Sequence, residues 1–389
     1  MKNDQGKDST FAGLFANGNS LFSFVICLKI MRYFTFLLCC FFICEVQAQA
    51  PYGAIHGVWL TAQDSVLDSK TNIQKAIENC KKAGINNIYV STWNRGRTLY
   101  PSAIMMERFG VAIDPRFGKR DPLKELIDAA HAEKIKVHAW FEYGFAAAYG
   151  DSGAYLLKKY PYYAAIGPDG KAIEKNGFKW MNAFHPLVQN FLKSLVLEVV
   201  KRYDIDGIQG DERMPAVPSL AGYDPYTIAE YKKEHGRLVP PTNYLDSNWI
   251  QWRAKRLNKF GKDLYQSVKA VKPNVLLSMA PSVYPGSLQE YLQDWPSWLR
   301  EGYVDYVVVQ LYLNNLDEYE KILQETIQQA GGKKDRLYAG VLIGLGDSYR
   351  IKPGLLKGML GLNQKYDLPG EVFFYYSALA KLGKALKRP

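Results

Sequence analysis

Two adjacent carboxyl residues, Asp211 and Glu212, are the first candidates for chemistry in this sequence. They end the stretch YDIDGIQGDERMP (203–215), in which Gly207 and Gly210 mark places where backbone or ligand must come close. A strand that ends in acids is typical of an active-site edge, whereas an acid placed after a strand also caps a following helix. The stretch alone leaves both interpretations open.

The elements that must position these acids follow from the apolar pattern. Runs of strand length alternate with longer stretches of helical period, which predicts a parallel sheet. The predicted strands are 54–61, 87–94, 135–143, 206–212, 274–281, 304–312, 336–344 and 371–377. The predicted helices are 70–83, 121–133, 186–202, 248–271, 288–300, 317–330, 352–366 and 378–387. The predicted fold class is therefore α/β, a single (β/α)8 TIM barrel.

An open nucleotide-binding sheet would also alternate, but the first turn here, TAQDS, lacks the glycines such a sheet requires. Long connections follow strands 2, 3 and 4, at 95–120, 144–185 and 213–247. All three leave the C-terminal ends of strands, where barrel enzymes build their active sites.

Alternation along the strands predicts which side chains face the barrel interior. In the third strand Val137, Ala139 and Phe141 form an apolar set facing the helices, so the residues between them face inward. The side chains predicted to face inward are His138, Trp140, Glu142, Gln209, Asp211, Val308, Gln310 and Tyr312. Trp93 is expected near the upper end of the second strand, and Tyr375 or Tyr376 at the end of the eighth.

This combination of side chains suits a sugar, because aromatic faces stack on its C–H surface while amides and carboxylates bind its hydroxyls. The predicted substrate-binding residues are Trp93, Arg97, His138, Trp140, Gln310, Tyr312 and Tyr376, and the candidate catalytic residues are Asp211, Glu142 and Glu212. Packing inside the barrel is the alternative for His138 and Trp140. Gln310 and Glu142 need partners or a ligand, because an unpaired buried polar group costs about 1–3 kcal/mol.

Residues 1–50 are expected to be an N-terminal extension and secretory signal peptide. The apolar run FLLCCFFIC (36–44) follows a basic residue and is shorter than the roughly 20 residues of a membrane span. Small residues predict cleavage after Ala48, and residues 51–389 are predicted to form the barrel domain. Ile43 is too large to precede a lipidated cysteine, so lipoprotein anchoring is not expected at Cys44. We therefore expect export to the periplasm or the extracellular space, with no stable membrane span after signal removal.

Cysteine usage and charge exclude several other functions. Four of the five cysteines lie in the first 50 residues, and the remaining one, Cys80, is expected to pack in the core. Neither a zinc-ligand spacing nor a Gly-rich phosphate loop occurs, so we expect no metal and no cofactor. The net charge of +11 suits either acidic glycans or simple solubility. The basic residues lack the interleaved aromatics of nucleic-acid-binding modules, so we expect no nucleic-acid partner, and the oligomeric state stays open.

Several motifs together resemble the glycoside hydrolase family 10-like family of exported bacterial proteins. They are GVWLT, VSTWNRGRTLYPS (90–102), DPLKELIDAAHAEKIKVHAWFEY (121–143), YDIDGIQGDE (203–212), VDYVVVQLY (304–312) and EVFFYYS. The resemblance covers essentially all of 51–389. It implies a (β/α)8 barrel that hydrolyses glycosidic bonds, in some relatives those of cell-wall glycan strands. DGIQGD is also similar to an α-amylase pattern whose last Asp, here Asp211, is catalytic.

The resulting hypothesis is a glycoside hydrolase that cleaves O-glycosidic bonds of an envelope or extracellular polysaccharide, with peptidoglycan glycan strands as one candidate. Asp211 is the first choice as general acid or nucleophile, with Glu142 ranked above Glu212 as its partner. The sequence departs from the family at Arg213, where relatives carry an aromatic residue. A guanidinium there would keep Asp211 ionised, so a carbohydrate-binding barrel with weak or no catalysis is the alternative.

Overall fold

The structure, a computed structural model, describes residues 51–382. Within this range eight parallel strands close into a barrel. The strands are β1 (Ile55–Leu60), β2 (Asn87–Ser91), β3 (Lys136–Trp140), β4 (Gly207–Gly210), β5 (Leu276–Met279), β6 (Tyr306–Gln310), β7 (Leu337–Leu342) and β8 (Gly370–Phe374). Neighbours in the chain are neighbours in the barrel, and β8 pairs with β1. Each strand overlaps one predicted apolar run, so the predicted TIM barrel is confirmed.

Helices follow the strands at or close to the predicted positions. They are α1 (Lys70–Ala83), α2 (Pro122–Ala132), α3 (Pro186–Arg202), α4 (Ser247–Val271), α5 (Trp295–Glu301), α6 (Leu316–Gln329), α7 (Pro353–Lys365) and α8 (Tyr376–Leu382). Side chains accept backbone N–H bonds at several N-termini, as Ser69 does for α1 and Asp121 for α2. The predicted helix 288–300 is divided, because Leu292 adopts a left-handed conformation with φ 59° after Gly286–Tyr291.

The long connections at the C-terminal ends of β2, β3 and β4 contain small elements of their own. The first holds a hairpin of Trp93–Asn94 and Arg97–Thr98 and the helix Ala103–Phe109. The second holds a three-stranded antiparallel sheet of Ala146–Tyr149, Glu174–Lys175 and Phe178–Trp180, together with the helix Tyr155–Lys159. The third holds the helix Pro225–Glu234. These elements are built around the end of the barrel where its active-site residues are predicted.

The core consists of two separate layers, as the alternation along the strands predicted. Val137, Ala139 and Phe141 belong to the large apolar layer between the barrel and the helices. A second cluster fills the barrel interior and includes Trp59, Tyr89, Trp140, Tyr306, Val308 and Tyr338. Burial of both faces of every strand is why the strands read as nearly continuous apolar runs.

His138 occupies the lower interior of the barrel and explains the first glycine of β4. Its Nε2 lies 2.9 Å from Oδ1 of Asn87, and its ring stacks on Tyr89 at 4.6 Å. A Cβ on Gly207 would lie 2.1 Å from Nδ1 of His138. A Cβ on Gly210 would lie 2.3 Å from Sδ of Met279. The groups that approach both glycines are therefore parts of the protein itself.

Gly207→Ala is expected to lower the free energy of unfolding by about 1–3 kcal/mol, because the new methyl group must displace the buried His138 ring. Urea unfolding followed by circular dichroism would measure the loss. Gly261→Ala in α4 is the matched control, since its Cβ would meet its nearest atom at 3.6 Å. Helix propensity there favours alanine by up to about 1 kcal/mol. Equal losses in the two variants would contradict this account of Gly207.

Cys80 lies buried in α1, so its predicted role in core packing is confirmed, and burial raises the pKa of its thiol to about 12. The predicted signal peptide, its cleavage after Ala48 and the anchoring question at Cys44 fall outside the described residues. No helix between residues 51 and 382 is long and apolar enough to cross a membrane.

Candidate active site

A cavity of about 360 Å³ opens among the C-terminal ends of the barrel strands. Its lining consists of Trp59, Trp140, Glu142, Asp211, Glu212, Arg213, Ala280, Gln310, Tyr312 and Phe374. Its volume lies within the range of about 300–1,000 Å³ typical of small-molecule sites. A larger depression of about 670 Å³ lies at the opposite end, around Tyr52, Asp206 and Lys272. Barrel enzymes do not build their catalytic sites at that end.

Asp211 is the most heavily hydrogen-bonded carboxylate of the cavity. It directly follows β4 and is 1% exposed. Nη2 of Arg213 lies 3.1 Å from its Oδ2, while the backbone N–H of Glu212 and the side-chain amide of Gln310 donate to its Oδ1, the latter at 3.3 Å. A neighbouring cation and several donors all favour the ionised carboxylate.

Arg213 links the carboxylates of the site. It forms ion pairs with Asp211 and Glu212, and its Nε donates to the carbonyl oxygen of Glu142 at 2.9 Å. Its guanidinium carbon also lies 4.8 Å from the ring centroid of Phe178. Contacts on all these sides hold Arg213 in place. Glu212 is therefore an ion-pair partner of Arg213, and it also accepts from Gln310 at 2.7 Å.

Glu142 differs from Asp211 in its environment. Its Oε2 accepts from Nδ2 of Asn94 at 2.8 Å. Burial raises the pKa of this carboxyl, and the charge of Glu212 adds to the effect, against the opposing influence of Ser91, Arg213 and Asn94. A carboxyl that keeps its proton to higher pH is suited to act as a general acid. Glu142 and Asp211 therefore differ in environment, because burial dominates at Glu142 whereas a cation and several donors surround Asp211.

The remaining lining is aromatic. The rings of Trp59 and Trp140 lie 6.3 Å apart, and the Phe374 ring lies 5.9 Å from Trp59 and 5.5 Å from Tyr312. Trp59 Nε1 donates to Gln209 at 2.7 Å. Nε1 of Trp140 is buried and has no hydrogen-bond partner within residues 51–382. This N–H is therefore available to donate to a hydroxyl or carbonyl of a ligand.

The structure brings together Trp140, Glu142, Asp211, Glu212, Gln310 and Tyr312, but it places Trp93 and His138 elsewhere. Strand β2 ends at Ser91, and Trp93 turns into the outer core, where Nε1 donates to the Gly144 carbonyl at 3.0 Å. His138 is wholly buried among Asn87, Tyr89 and Tyr306, and burial lowers its pKa to about 4. Neither side chain reaches the cavity, so the expectation that they contact substrate must be corrected.

Arg97 and Tyr376 also lie outside the cavity lining. The Arg97 guanidinium lies 5.7 Å from the ring centroid of Tyr155, on the hairpin that follows β2. The Tyr376 hydroxyl accepts from Nδ2 of Asn79 at 3.0 Å, because the residue begins α8 and packs against α1. Neither side chain lines the cavity, and their contacts with substrate stay predictions.

Trp59, Phe374 and Arg213 line the cavity but were absent from the predicted binding residues. The alternation that identified Trp140 would have identified Trp59 in β1, since Ile55 and Trp59 both face the barrel interior. Phe374 is the last residue of β8, and the tyrosines that follow it were predicted to lie at the end of this strand instead. Arg213 was noted only as a departure from the family, because sequence does not show which way a residue after a strand points.

Asp64 is a further carboxyl at this end of the barrel that sequence reasoning did not select. It lies in the turn after β1, and its Oδ2 accepts from the backbone N–H of Thr61 at 2.6 Å and from the Thr61 hydroxyl at 3.0 Å. Its Oδ1 is buried without a hydrogen-bond partner in the described range. Burial raises the pKa of Asp64 to about 7, and the charge of Glu142 adds to the rise.

Asp64→Asn is expected to stabilise the fold at pH 8 by about 2–4 kcal/mol. The unfolded chain ionises Asp64 near pH 4 but the folded chain only near pH 7, so wild-type stability falls as the pH rises through this interval. The variant has no such loss. Urea unfolding at pH 5 and pH 8 measures the difference, with the exposed Asp347→Asn as control. A variant as pH-sensitive as the wild type would contradict the assignment.

Residues 51–382 contain no group of three or more His, Cys, Asp or Glu side chains arranged to hold a metal ion. The arrangement can instead stack a sugar ring on aromatic faces, hydrogen-bond its hydroxyls and act on it with two carboxyl groups. A family model described as Glycosyl hydrolase-like 10 matches residues 54–355, which include seven of the eight barrel strands.

The chain belongs to the glycosyl hydrolase-like 10 family.

Curated relatives of this glycosyl hydrolase-like 10 chain carry related names. Glycosyl hydrolase YngK of Bacillus subtilis is 25% identical over 297 residues, which cover 71% of this chain and 56% of YngK. Glycosyl hydrolase DigH of Escherichia coli is 24% identical over 344 residues, which cover 78% of this chain and 75% of DigH. This chain therefore spans little more than half the length of YngK.

Solved structures similar to this glycosyl hydrolase-like 10 chain share its fold. The glycoside hydrolase domain of PgaB (BpsB) from Bordetella bronchiseptica matches with a TM-score of 0.62 and 15% identity, covering 84% of this chain and 98% of that domain. The catalytic domain of a Paenibacillus polymyxa β-amylase matches with a TM-score of 0.61 and 10% identity, covering 86% and 98%. Both similarities support the TIM barrel and nothing finer.

Proposed function

We propose that this protein is a glycosidase that cleaves O-glycosidic bonds of an envelope or extracellular polysaccharide. One observation carries the proposal. Two carboxyl groups in different environments, Glu142 with a raised pKa and Asp211 paired with Arg213, border the same aromatic-lined cavity. Glycoside hydrolysis typically needs one carboxylic acid and one carboxylate on either side of the scissile bond.

The contacts of each carboxyl group support distinct roles. Protonated Glu142 would donate its proton to the glycosidic oxygen, which keeps the electron pair of the breaking C–O bond and leaves as an alcohol. Ionised Asp211 would either attack the anomeric carbon or take a proton from the water that attacks it. Sequence left Asp211 open as acid or nucleophile. Its bonds to Arg213 and Gln310 favour the ionised role.

We assign substrate binding to the aromatic side chains of the cavity and to its buried N–H group that has no hydrogen-bond partner in the described residues. Trp59, Trp140, Tyr312 and Phe374 offer ring faces to the C–H surface of a sugar. Nε1 of Trp140 would donate to one of its oxygens. We place the protein outside the cytoplasm because the sequence of residues 1–50 has the pattern of a secretory signal. Peptidoglycan glycan strands are the first substrate to test.

Product analysis tests the proposal directly. The wild type would be incubated with peptide-free peptidoglycan strands and with a panel of plant and host polysaccharides, and new reducing ends would be counted. Asp211→Asn, prepared in the same way, controls for contaminating hydrolases. The anomer released first, observed by NMR, distinguishes retention from inversion. Absence of reducing ends from every glycan would contradict the proposal.

A carbohydrate-binding protein without catalysis is the second candidate, and Arg213 is the observation that favours it. Its guanidinium pairs with both Asp211 and Glu212 at the cavity wall. In a binding protein these ion pairs would only fix the shape of the cavity wall. In a hydrolase they would also orient the reacting carboxylate and stabilise its negative charge.

Arg213→Gln separates the two candidates. In a hydrolase we expect turnover to fall about 10- to 100-fold, and the rising limb of its pH profile to move to higher pH because the carboxylate loses its cation. Initial rates between pH 4 and pH 9 measure both effects. Calorimetric binding of a glycan that neither wild type nor variant cleaves would instead favour the binding protein.

A further inference from the structure

We propose that Arg95, Tyr143, Tyr149 and Phe178 form a subsite for a carboxylate-bearing sugar beside the catalytic cavity. The inference rests on the proposed function and adds a substrate class to it: a glycan in which an acidic sugar lies next to the one held in the cavity.

Arg95 is the cation of this subsite. It lies in the hairpin that follows β2, and its Nε donates to the Tyr143 hydroxyl at 3.1 Å. Within residues 51–382 no carboxylate lies within 4 Å of its guanidinium, and its two Nη groups make no hydrogen bond. By contrast, Arg120 on the same connection pairs with Glu125 at 2.5 Å. A positioned guanidinium with free Nη groups can bind a carboxylate through two parallel hydrogen bonds.

Aromatic rings connect Arg95 to the catalytic cavity. Its guanidinium carbon lies 5.6 Å from the ring centroid of Tyr149, a residue that is 47% exposed. Tyr149 lies 5.2 Å from Phe178, and Arg213 lies 4.8 Å from that same Phe178 ring. Arg213 also lies 5.7 Å from the ring of Tyr143, to whose hydroxyl Arg95 donates. A single ring, Tyr143, therefore separates the Arg95 guanidinium from the cation that binds Asp211.

The charge of the surrounding connections fits an anionic ligand. The connection 95–120 carries six basic residues against two acidic ones, and the connection 144–185 carries five against three. Charge of one sign near a cleft raises the local concentration of ligands of the opposite sign. Tyr149 adds a ring face for the sugar itself. The shared chemistry is a carboxylate on a pyranose, which either a uronic acid or a lactyl ether of an amino sugar supplies.

Matched substrates test the subsite. Peptide-free peptidoglycan strands supply the lactyl carboxylate and polygalacturonate or hyaluronan supplies the uronate, and each is compared with its own methyl ester. For the preferred source, we expect the wild type to show about 10-fold higher kcat/KM on the carboxylate form than on the ester. Arg95→Gln should abolish this preference by lowering kcat/KM for the carboxylate form to the value for the ester. Arg95→Lys should retain part of it, and added salt should weaken it.

Lys158→Gln is the matched control, because it removes one positive charge from an exposed position in the same connection as Tyr149. It should leave the carboxylate preference intact. Unfolding temperatures of all variants exclude loss of fold as the cause. Equal use of carboxylate and ester forms by the wild type, or a preference that survives Arg95→Gln, would overturn the subsite.

Calorimetry separates failure of the subsite from failure of the proposed function. Glu142→Gln would be titrated with carboxylate and ester oligosaccharides, and the same titration repeated with Arg95→Gln added. Ester-sensitive binding that depends on Arg95 supports the subsite even if no glycan is cleaved, in which case only the hydrolase proposal fails. Cleavage without any carboxylate preference leaves the hydrolase proposal standing and overturns the subsite alone.

Discussion

Asp211→Asn is expected to lower turnover about 10²- to 10⁴-fold while leaving the fold intact. The amide is nearly isosteric with the carboxylate, so the cavity keeps its shape, but it neither attacks an anomeric carbon nor accepts a proton from water. It also loses the charge that Arg213 binds at 3.1 Å. Reducing-end release from the best substrate of the panel measures turnover, and thermal unfolding confirms the fold.

Asp204→Asn is the control for this experiment. Asp204 lies just before the same strand, at the opposite end of the barrel, and its side chain is 94% exposed. The substitution is chemically identical, and turnover should stay at the wild-type value. If Asp211→Asn retained full turnover in a correctly folded protein, Asp211 would have no part in the chemistry and the proposed mechanism would be lost.

Glu142→Gln is expected to reduce turnover by a similar factor of about 10²–10⁴, but only on substrates whose leaving group needs a proton. The leaving group of a natural glycan departs as an alcohol, so it needs a proton from the general acid. A nitrophenolate leaving group departs without a proton, so the turnover of an aryl glycoside should fall much less in the variant. Comparing the two substrate types in wild type and variant assigns the acid. Equal losses on both would argue that Glu142 serves another role.

The pH profile gives an independent check on Glu142. Burial raises the pKa of this carboxyl, so the reactive protonated form persists to higher pH than in an ordinary glutamate. Wild-type turnover should therefore fall as the pH rises through that raised pKa. Glu142→Gln has no proton to lose there, so its residual turnover should show no such falling limb. An unchanged falling limb in the variant would assign that limb to a different group.

Much of the barrel was predictable because its signal is local. Each strand is buried on both faces, so its composition alone identified it. The alternation of β3 turned Trp140 toward the interior and, continued two residues past the end of the strand, did the same for Glu142. The same reasoning placed Gln310 and Tyr312 correctly in the cavity lining. The roles of these residues in binding and catalysis stay predictions until the variants are measured.

Predictions were least accurate where the chain leaves a strand. Trp93 continues the alternation of β2 by residue count, but the strand ends at Ser91 and a hairpin carries Trp93 into the outer core. His138 faces the barrel interior as predicted, but it lies too deep to reach the cavity. Alternation along a strand predicts which way a side chain points, not how far along the barrel axis it lies. The ion pairs of Arg213 join residues whose directions are set by loop geometry, which no periodic pattern records.

The hydrogen-bonded layer under the cavity has a consequence for the sugar. Trp59 donates to Gln209 at 2.7 Å, Gln209 donates to Ser278 at 3.2 Å, and Tyr89 and Tyr306 bond to each other at 2.9 Å beneath them. Such an interlocked floor resists deformation. In the proposed glycosidase such a floor would hold the aromatic faces and the carboxyl groups in fixed positions, so the adjustment needed during the reaction would fall on the bound sugar rather than on the protein.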